Sequence, residues 1–327
     1  MAITNICIID TPYALLVYTM YMSKEEIDKT FFICGENINY EILEFLKYKM
    51  QIKRFKTKYF SNVINYFYFK YKIQKINHIF PNKIYAQDNI LFAPLVIKKS
   101  KYTLIEDSPL ICSIYSKSKK KNHKNLKSFI LRLLYGEIHF NCFGNNEQCD
   151  ELLLTQDDNA DYIQNKKKTL VKINYKWSNF NDKHRQFILN LFGLKLEDIN
   201  LLKSKKYILF TQPLTDFKCI DYKTQELIYR KILSNYEEGS VLIKVHPRDK
   251  LNYREIFPKY KVFSKKIPSQ LLELVGIQYE KAITVFSTAA ITTKGCKDVD
   301  WYGTRIHQEL YNEIGDKPNP LKKCSFE

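Results

Sequence analysis

Five residues, Val241-Leu242-Ile243-Lys244-Val245, run between Gly239-Ser240 and His246-Pro247 with no turn former among them. Four are aliphatic, and the fifth, a lysine, has a long apolar stem. A stretch apolar at consecutive positions reads as a strand covered on both faces, and such strands belong to parallel sheets flanked by helices. The chain is thereby steered towards an α/β fold. Proline has no N–H for a ladder and holds its predecessor extended, so the strand stops with the His246 imidazole at its carboxyl end. Ligands of open α/β sheets bind outside that end. Arg248 follows at once, and a guanidinium beside an imidazole suits a phosphate. Taken alone, the stretch fits equally a strand that ends at a proline with a surface histidine beside it.

Two further strand ends add weight. Tyr207-Ile208-Leu209-Phe210 runs into Thr211-Gln212-Pro213, with Asp216 in the loop beyond. Residues 281–286 run into Ser287-Thr288-Ala289-Ala290, where two hydroxyls stand at the handover to a helix. Three parallel strands would deliver a carboxylate, an imidazole with a guanidinium, and a hydroxyl pair to one edge. That edge is a candidate active site.

The first half shows the same alternation of strand and helix. Residues 3–9 read as a buried strand, and Thr11-Pro12 as the cap and first position of a helix over 13–22. A second strand is expected at 30–34 and a second helix at 39–48. Another strand, 101–105, closes on Glu106-Asp107-Ser108-Pro109. Paired acids there suit a general base, a metal site or a helix cap, and the residues alone leave all three open. Residues 59–75 crowd Tyr59, Phe60, Tyr66, Phe67, Tyr68, Phe69 and Tyr71 among Lys70, Lys72 and Lys75. Core packing along one helical face is the plainer reading, and contact with a membrane interface or a sugar is the other.

Residues 156–205 lose this patterning and read as a linker between an N-terminal α/β domain (1–155) and a C-terminal one (206–327). In the latter, a helix at 222–235, a short strand at 261–263, a helix at 269–275 and a closing amphipathic helix over 301–314 are expected.

The formal net charge is +17, which favours anionic partners: nucleic acid, an anionic membrane face or phosphorylated substrates. Much of it lies in lysine blocks at 98–101, 117–127 and 166–168, which also read as solvated loop tips. No RNP-like aromatic motif, zinc-finger spacing or glycine-rich phosphate loop accompanies them, so nucleic acid is not the expected partner. The 8 cysteines form no C-x-x-C pair and sit mostly in apolar runs, as buried free thiols do in a reducing compartment. Neither a secretion signal nor a spanning run of about 18 apolar residues is visible. The expectation is a cytoplasmic protein, held peripherally at the inner membrane face by charge.

Glu106-Asp107-Ser108, Lys244-Val245-His246-Pro247-Arg248 and Phe286-Ser287-Thr288-Ala289-Ala290 follow one another in the order of three motifs: an acid-acid-Gly turn, a His-Pro pair and a Ser/Thr motif. The chain in this respect resembles glycosyltransferase family 52, the bacterial lipooligosaccharide sialyltransferases, along a motif spine from residue 101 to 294. Ser108 departs from the family's glycine. The resemblance implies GT-B architecture, with two doubly wound Rossmann-like domains facing a cleft. It further implies inverting transfer of sialic acid from CMP-sialic acid to a galactose-type hydroxyl of a lipooligosaccharide or capsular glycan. A UDP-hexose donor on the same fold, and a non-catalytic basic surface-binding protein, are the alternatives.

Carried over residue by residue, Asp216 is the general base, with Asp107 its rival. His246, in one motif with Pro247 and Arg248, protonates or stabilises the departing phosphate. Ser287 and Thr288 supply it with further donors, and Glu106 lies on the acceptor side. No metal or cofactor is expected. Asp298-Val299-Asp300 spells D-x-D, which binds a metal-nucleotide in a different glycosyltransferase fold, but it falls after the Ser/Thr helix and is a weak match. The family's homodimers make the 59–75 helix a candidate subunit contact.

Overall fold

The computed structural model describes residues 3–56, 60–98, 100–118, 126–293 and 295–320. Two compact units divide the chain, Met1–Gly193 and Leu194–Glu327.

The first unit is built on seven strands: β1 (Asn5–Ile9), β2 (Thr30–Cys34), β3 (Tyr48–Gln51), β4 (Lys83–Ala86), β5 (Tyr102–Ile105), β6 (Cys149–Leu154) and β7 (Lys167–Leu170). They lie in the order β3-β2-β1-β4-β5-β6-β7, and every pairing is parallel. β1 is buried along its whole length because it is flanked on both sides: Cys7 lies between Phe32 and Tyr85. Thr11 then caps the helix Pro12–Tyr21 by accepting from Ala14 N at 3.2 Å. That helix buries Ala14 through Met20 against the sheet.

The second unit holds β8 (Tyr207–Phe210), β9 (Val241–Lys244), β10 (Lys261–Phe263), β11 (Tyr279–Thr284) and β12 (Cys296–Trp301), ordered β10-β9-β8-β11-β12 and again all parallel. Its core joins Leu209, Ile243, Ile283 and Val285 of the sheet to Ile228, Tyr229 and Ile232 of the helix Tyr222–Leu233. Each such aliphatic side chain contributes about 1.5–3 kcal/mol when fully buried. In both sheets the order reverses at the first strand, between β1 and β4 and between β8 and β11. The fold is two doubly wound, Rossmann-like α/β units.

Several expectations need correction. The expected 39–48 helix stops at Phe45, and Tyr48 opens the edge strand β3. The 156–205 stretch carries β7 and the helices Ile173–Asn179, Asp182–Leu191 and Leu196–Lys203, and the unit boundary falls inside it, after Gly193. Its lysine block 166–168 is tied to the fold. Lys166 Nζ donates to the carbonyls of Asn146 (2.6 Å) and Cys149 (2.9 Å), Lys168 to that of Asp158 (2.7 Å), and Lys167 pairs with Glu151 at 3.0 Å. Trp301 ends β12 instead of opening a helix; among the described residues of the tail, Thr304–Ile306 forms one 3-10 turn and Gln308–Ile314 an α-helix. The side chains of 117–127 lie outside the described residues.

Candidate active site

At the carboxyl edge of the second sheet, His246-Pro247-Arg248-Asp249 forms a β-turn closed by Asp249 N donating to His246 O at 2.9 Å. Proline at the second position presets its φ for such a turn. Inside it, Arg248 N donates to His246 Nδ1 at 3.2 Å. The neutral imidazole therefore carries its proton on Nε2. Burial, then the charges of Arg248 and Lys244, lower the His246 pKa to about 4, with Asp216 pulling the other way. Lys244 itself is buried, with its ammonium 3.2 Å from the Lys265 carbonyl, and burial lowers its pKa to about 8.

Asp216 closes a single 3-10 turn, Leu214–Asp216, that Pro213 starts after β8. One of its oxygens lies 3.3 Å from Arg248 Nη1, so the carboxylate and the His-Pro-Arg turn share one cation. Ser287 stands just past β11. Its N–H donates to Thr284 Oγ1 (2.9 Å), and its Oγ accepts from Ala289 N at 3.3 Å. The neighbouring Thr288 is exposed. Pro247, Arg248, Asp216, His246 and Ser287 are thus all delivered by the ends of adjacent strands β9, β8 and β11.

Residues without a sequence-based role hold this edge together. Thr211 Oγ1 accepts from His246 N at 3.0 Å and donates to Asp249. Asp249 also accepts from Gln225 Nε2 (2.9 Å) and Tyr253 OH (2.7 Å). Gln212 accepts from Phe286 N at 2.8 Å, tying the end of β8 to the turn that carries Ser287.

The carboxyl edge of the first sheet gathers a second polar cluster. Gln87, just past β4, accepts from Asp10 N at 2.6 Å and donates to Asp107 Oδ1 at 2.6 Å. Asn89 donates to the other Asp107 oxygen at 3.3 Å. Burial raises the pKa of Asp107 against those hydrogen bonds. Glu106 points the other way and is fully buried. Its Oε1 accepts from Tyr13 OH and from Thr155 N (2.9 Å), while Oε2 has no partner among the described residues. Burial pushes its pKa up to about 7. Glu106, expected at the acceptor side, is therefore an interior prop of this edge. The cap reading of the acid pair also fails: the helix Ile111–Ser118 receives its N-terminal acceptor from Asp158, which takes the N–H groups of Cys112 (2.9 Å) and Ser113 (3.1 Å). Close approach fixes Asp10 as well, since a Cβ on Gly35 would fall 1.9 Å from Asp10 Oδ1.

The glycosyltransferase family 52 pattern matches residues 17–310. The chain belongs to glycosyltransferase family 52. This transferase is 31% identical over 253 residues, 77% of each chain, to an uncharacterized protein of Haemophilus influenzae. Its fold is similar to the crystal structure of the GT-B domain of a sialyltransferase from Photobacterium damselae, at 13% identity and a TM-score of 0.53, covering 88% of this chain and 87% of that one. A second structure of a Photobacterium damsela sialyltransferase matches with TM-score 0.50 and 12% identity over 95% of this chain and 79% of that one. The transferase has the GT-B fold.

Asp298 and Asp300, the D-x-D pair, sit within the edge strand β12 of the transferase. Lys281 Nζ lies 3.1 Å from Asp300 and 3.9 Å from Asp298, and Tyr236 OH donates to Asp300 at 2.6 Å. Among the described residues no group of three or more His, Cys, Asp or Glu side chains could hold a metal ion. No helix among them is long and apolar enough to cross a membrane.

Proposed function

We propose that this transferase moves sialic acid from CMP-sialic acid to a galactose-type hydroxyl of a lipooligosaccharide or capsular glycan, inverting the anomeric carbon. The observation that carries the reading is the fixed tautomer of His246, whose Nδ1 is taken by Arg248 N and whose Nε2–H is left to donate. A departing CMP phosphate becomes a monoester with a second pKa of about 6, so near neutral pH it leaves largely as a dianion. It needs a donor and positive charge more than a full proton, and His246, Arg248 and the buried Lys244 supply both. Ser287 and Thr288 add donors to the same phosphate.

The acceptor oxygen attacks the anomeric carbon as the bond from that carbon to the phosphate oxygen breaks, and its electron pair leaves with CMP. The acceptor proton passes to Asp216. Arg248 neutralises Asp216 in the free protein; a bound phosphate competes for that guanidinium and frees the carboxylate to act as base. Asp107 is the second reading for the base, favoured by its raised pKa, which improves proton abstraction near neutral pH. The motif order and the fold likeness to the Photobacterium enzymes support the sialyl donor.

The test is turnover with CMP-sialic acid or UDP-hexoses, a terminal galactoside acceptor, and EDTA present or absent. CMP release that requires the acceptor and survives chelation is the expected result. UDP release from a UDP-hexose would replace the donor, and EDTA-sensitive turnover restored by magnesium or manganese would replace the metal-free mechanism. Absence of turnover with every nucleotide would leave a non-catalytic binding protein.

A further inference from the structure

Between Glu44 and Asp88 the sequence has no acidic residue and 10 lysines and arginines; between Asp107 and Glu137 it again has none, with 7. These two stretches supply the helices Ser61–Gln74, Ile111–Ser118 and Leu126–Tyr135 of the first unit. Helices Ser61–Gln74 and Leu126–Tyr135 are neighbours: the Tyr66 and Tyr135 rings lie 5.6 Å apart, and Tyr135 OH donates to the Asn62 carbonyl at 3.2 Å.

Asn65, Phe69 and Ile73 bury one face of the first of these helices. The opposite face carries Phe60, Ile64, Phe67 and Tyr71, spaced as one stripe, all exposed. The neighbouring helix adds Phe129 and Leu133, one turn apart and 65% and 76% exposed. Lys70, Lys72 and Lys75 flank the stripe with their ammonium groups 5.9, 5.6 and 4.7 Å from the rings of Tyr66, Tyr68 and Tyr71. Arg132 is partly neutralised by Glu137 at 3.0 Å. A cavity of about 910 Å³ opens beside these helices, with Tyr66, Lys70, Lys98 and Tyr135 in its wall together with Glu137 and Glu147.

We propose that this face docks the protein on an anionic phospholipid bilayer, with the Phe/Ile/Tyr/Leu stripe entering the headgroup boundary and the lysines meeting lipid phosphates. Large apolar side chains among cations, on helices that carry no acid of their own, are what an interfacial surface needs. A second copy of the chain fits less well. A two-fold contact would press two such cation-bearing faces together, with no carboxylate on these helices to neutralise Lys70, Lys72 and Lys75. The inference does not depend on the donor sugar.

The experiment is co-sedimentation of the full chain with phosphatidylcholine vesicles, with and without phosphatidylglycerol, over a salt series. Binding only to the anionic vesicles, weakening as salt rises, is expected. Lys70→Gln, Lys72→Gln and Lys75→Gln together should weaken it by about fivefold each, on the order of 100-fold in all. Phe67→Ser with Leu133→Ser should weaken it at least about tenfold. Both positions are exposed, so the unfolding temperature should not move, and it is measured alongside. Absence of binding to anionic vesicles at low salt, or binding by both variant sets as tight as the parent's, would overturn the proposal. So would a dimer in lipid-free buffer that Phe67→Ser with Leu133→Ser splits into monomers, since the face would then be a subunit interface.

Discussion

Thr211 and Asp249 share a single hydrogen bond, Oγ1 to Oδ2 at 3.1 Å, and through it the Asp249 carboxylate holds the backbone of His246, whose N–H donates to the same Thr211 hydroxyl. Thr211→Val keeps the shape and removes both bonds. The His246 N–H is then left without its partner, at about 1–3 kcal/mol before relaxation, while the Asp249 carboxylate keeps Gln225 and Tyr253. Urea unfolding should show the loss, and transfer should fall with it. Unchanged stability would mean that water replaces the hydroxyl.

Asp216→Asn should leave nucleotide affinity nearly intact and lower transfer by roughly 10²- to 10⁴-fold. His246→Ala should lower both, because the imidazole meets the phosphate before and during bond breaking. Asp107→Asn decides between the two carboxylates: if it removes transfer at constant nucleotide affinity while Asp216→Asn does not, the first sheet supplies the base. Calorimetric titration with CMP beside turnover measurements separates these outcomes.

Lys244 has a pKa lowered by burial from 10.5 to about 8. The folded protein releases this proton more readily than the unfolded chain, so stability from this site rises with pH between about 8 and 10.5 and is lost in full at neutral pH. Lys244→Met should therefore stabilise the fold at pH 7, by up to about 3 kcal/mol less the lost bond to Lys265, and weaken nucleotide binding. Equal or lower stability at pH 7, by thermal or urea unfolding, would contradict the assignment.

Glu106 behaves in the opposite sense. Its pKa is raised from 4.5 to about 7, so the folded state holds the proton more tightly, and the stability this lends is present below pH 4.5 and lost as pH rises through 7. Glu106→Gln cannot ionise. Relative to the parent it should gain stability steadily from pH 5 to 8, read as the difference between two unfolding midpoints. A flat difference would show that the unpartnered Oε2 is solvated.

What the sequence disclosed follows from how local each signal is. A buried parallel strand is a continuous apolar run, so β1, β8, β9 and the end of β11 stand out, and the prolines at 213 and 247 mark where their polar groups begin. β7 and β12 do not stand out: Lys167-Lys168-Thr169-Leu170 and Cys296-Lys297-Asp298-Val299-Asp300-Trp301 are edge strands whose charges face solvent or pair across the sheet. The positioning groups were harder still. Gln87 meets Asp10 across 77 positions and Gln212 meets Phe286 across 74. Only the fold brings them together. Asp249 was within reach, standing one residue beyond Arg248, but nothing local distinguishes an acid that props a turn from one that is solvated.

The strand order also bears on how the chain is made. In each sheet the earliest strand to leave the ribosome, β1 or β8, is interior, with later strands added on both sides. Each unit is also one unbroken stretch of chain, and the first ends at Gly193. The first sheet thus has all its strands before any strand of the second is synthesised, and no segment must wait for a distant partner. Since domains generally fold as units, amino-terminal first, during synthesis, the two sheets assemble in succession, and a block confined to the second leaves the first free to fold.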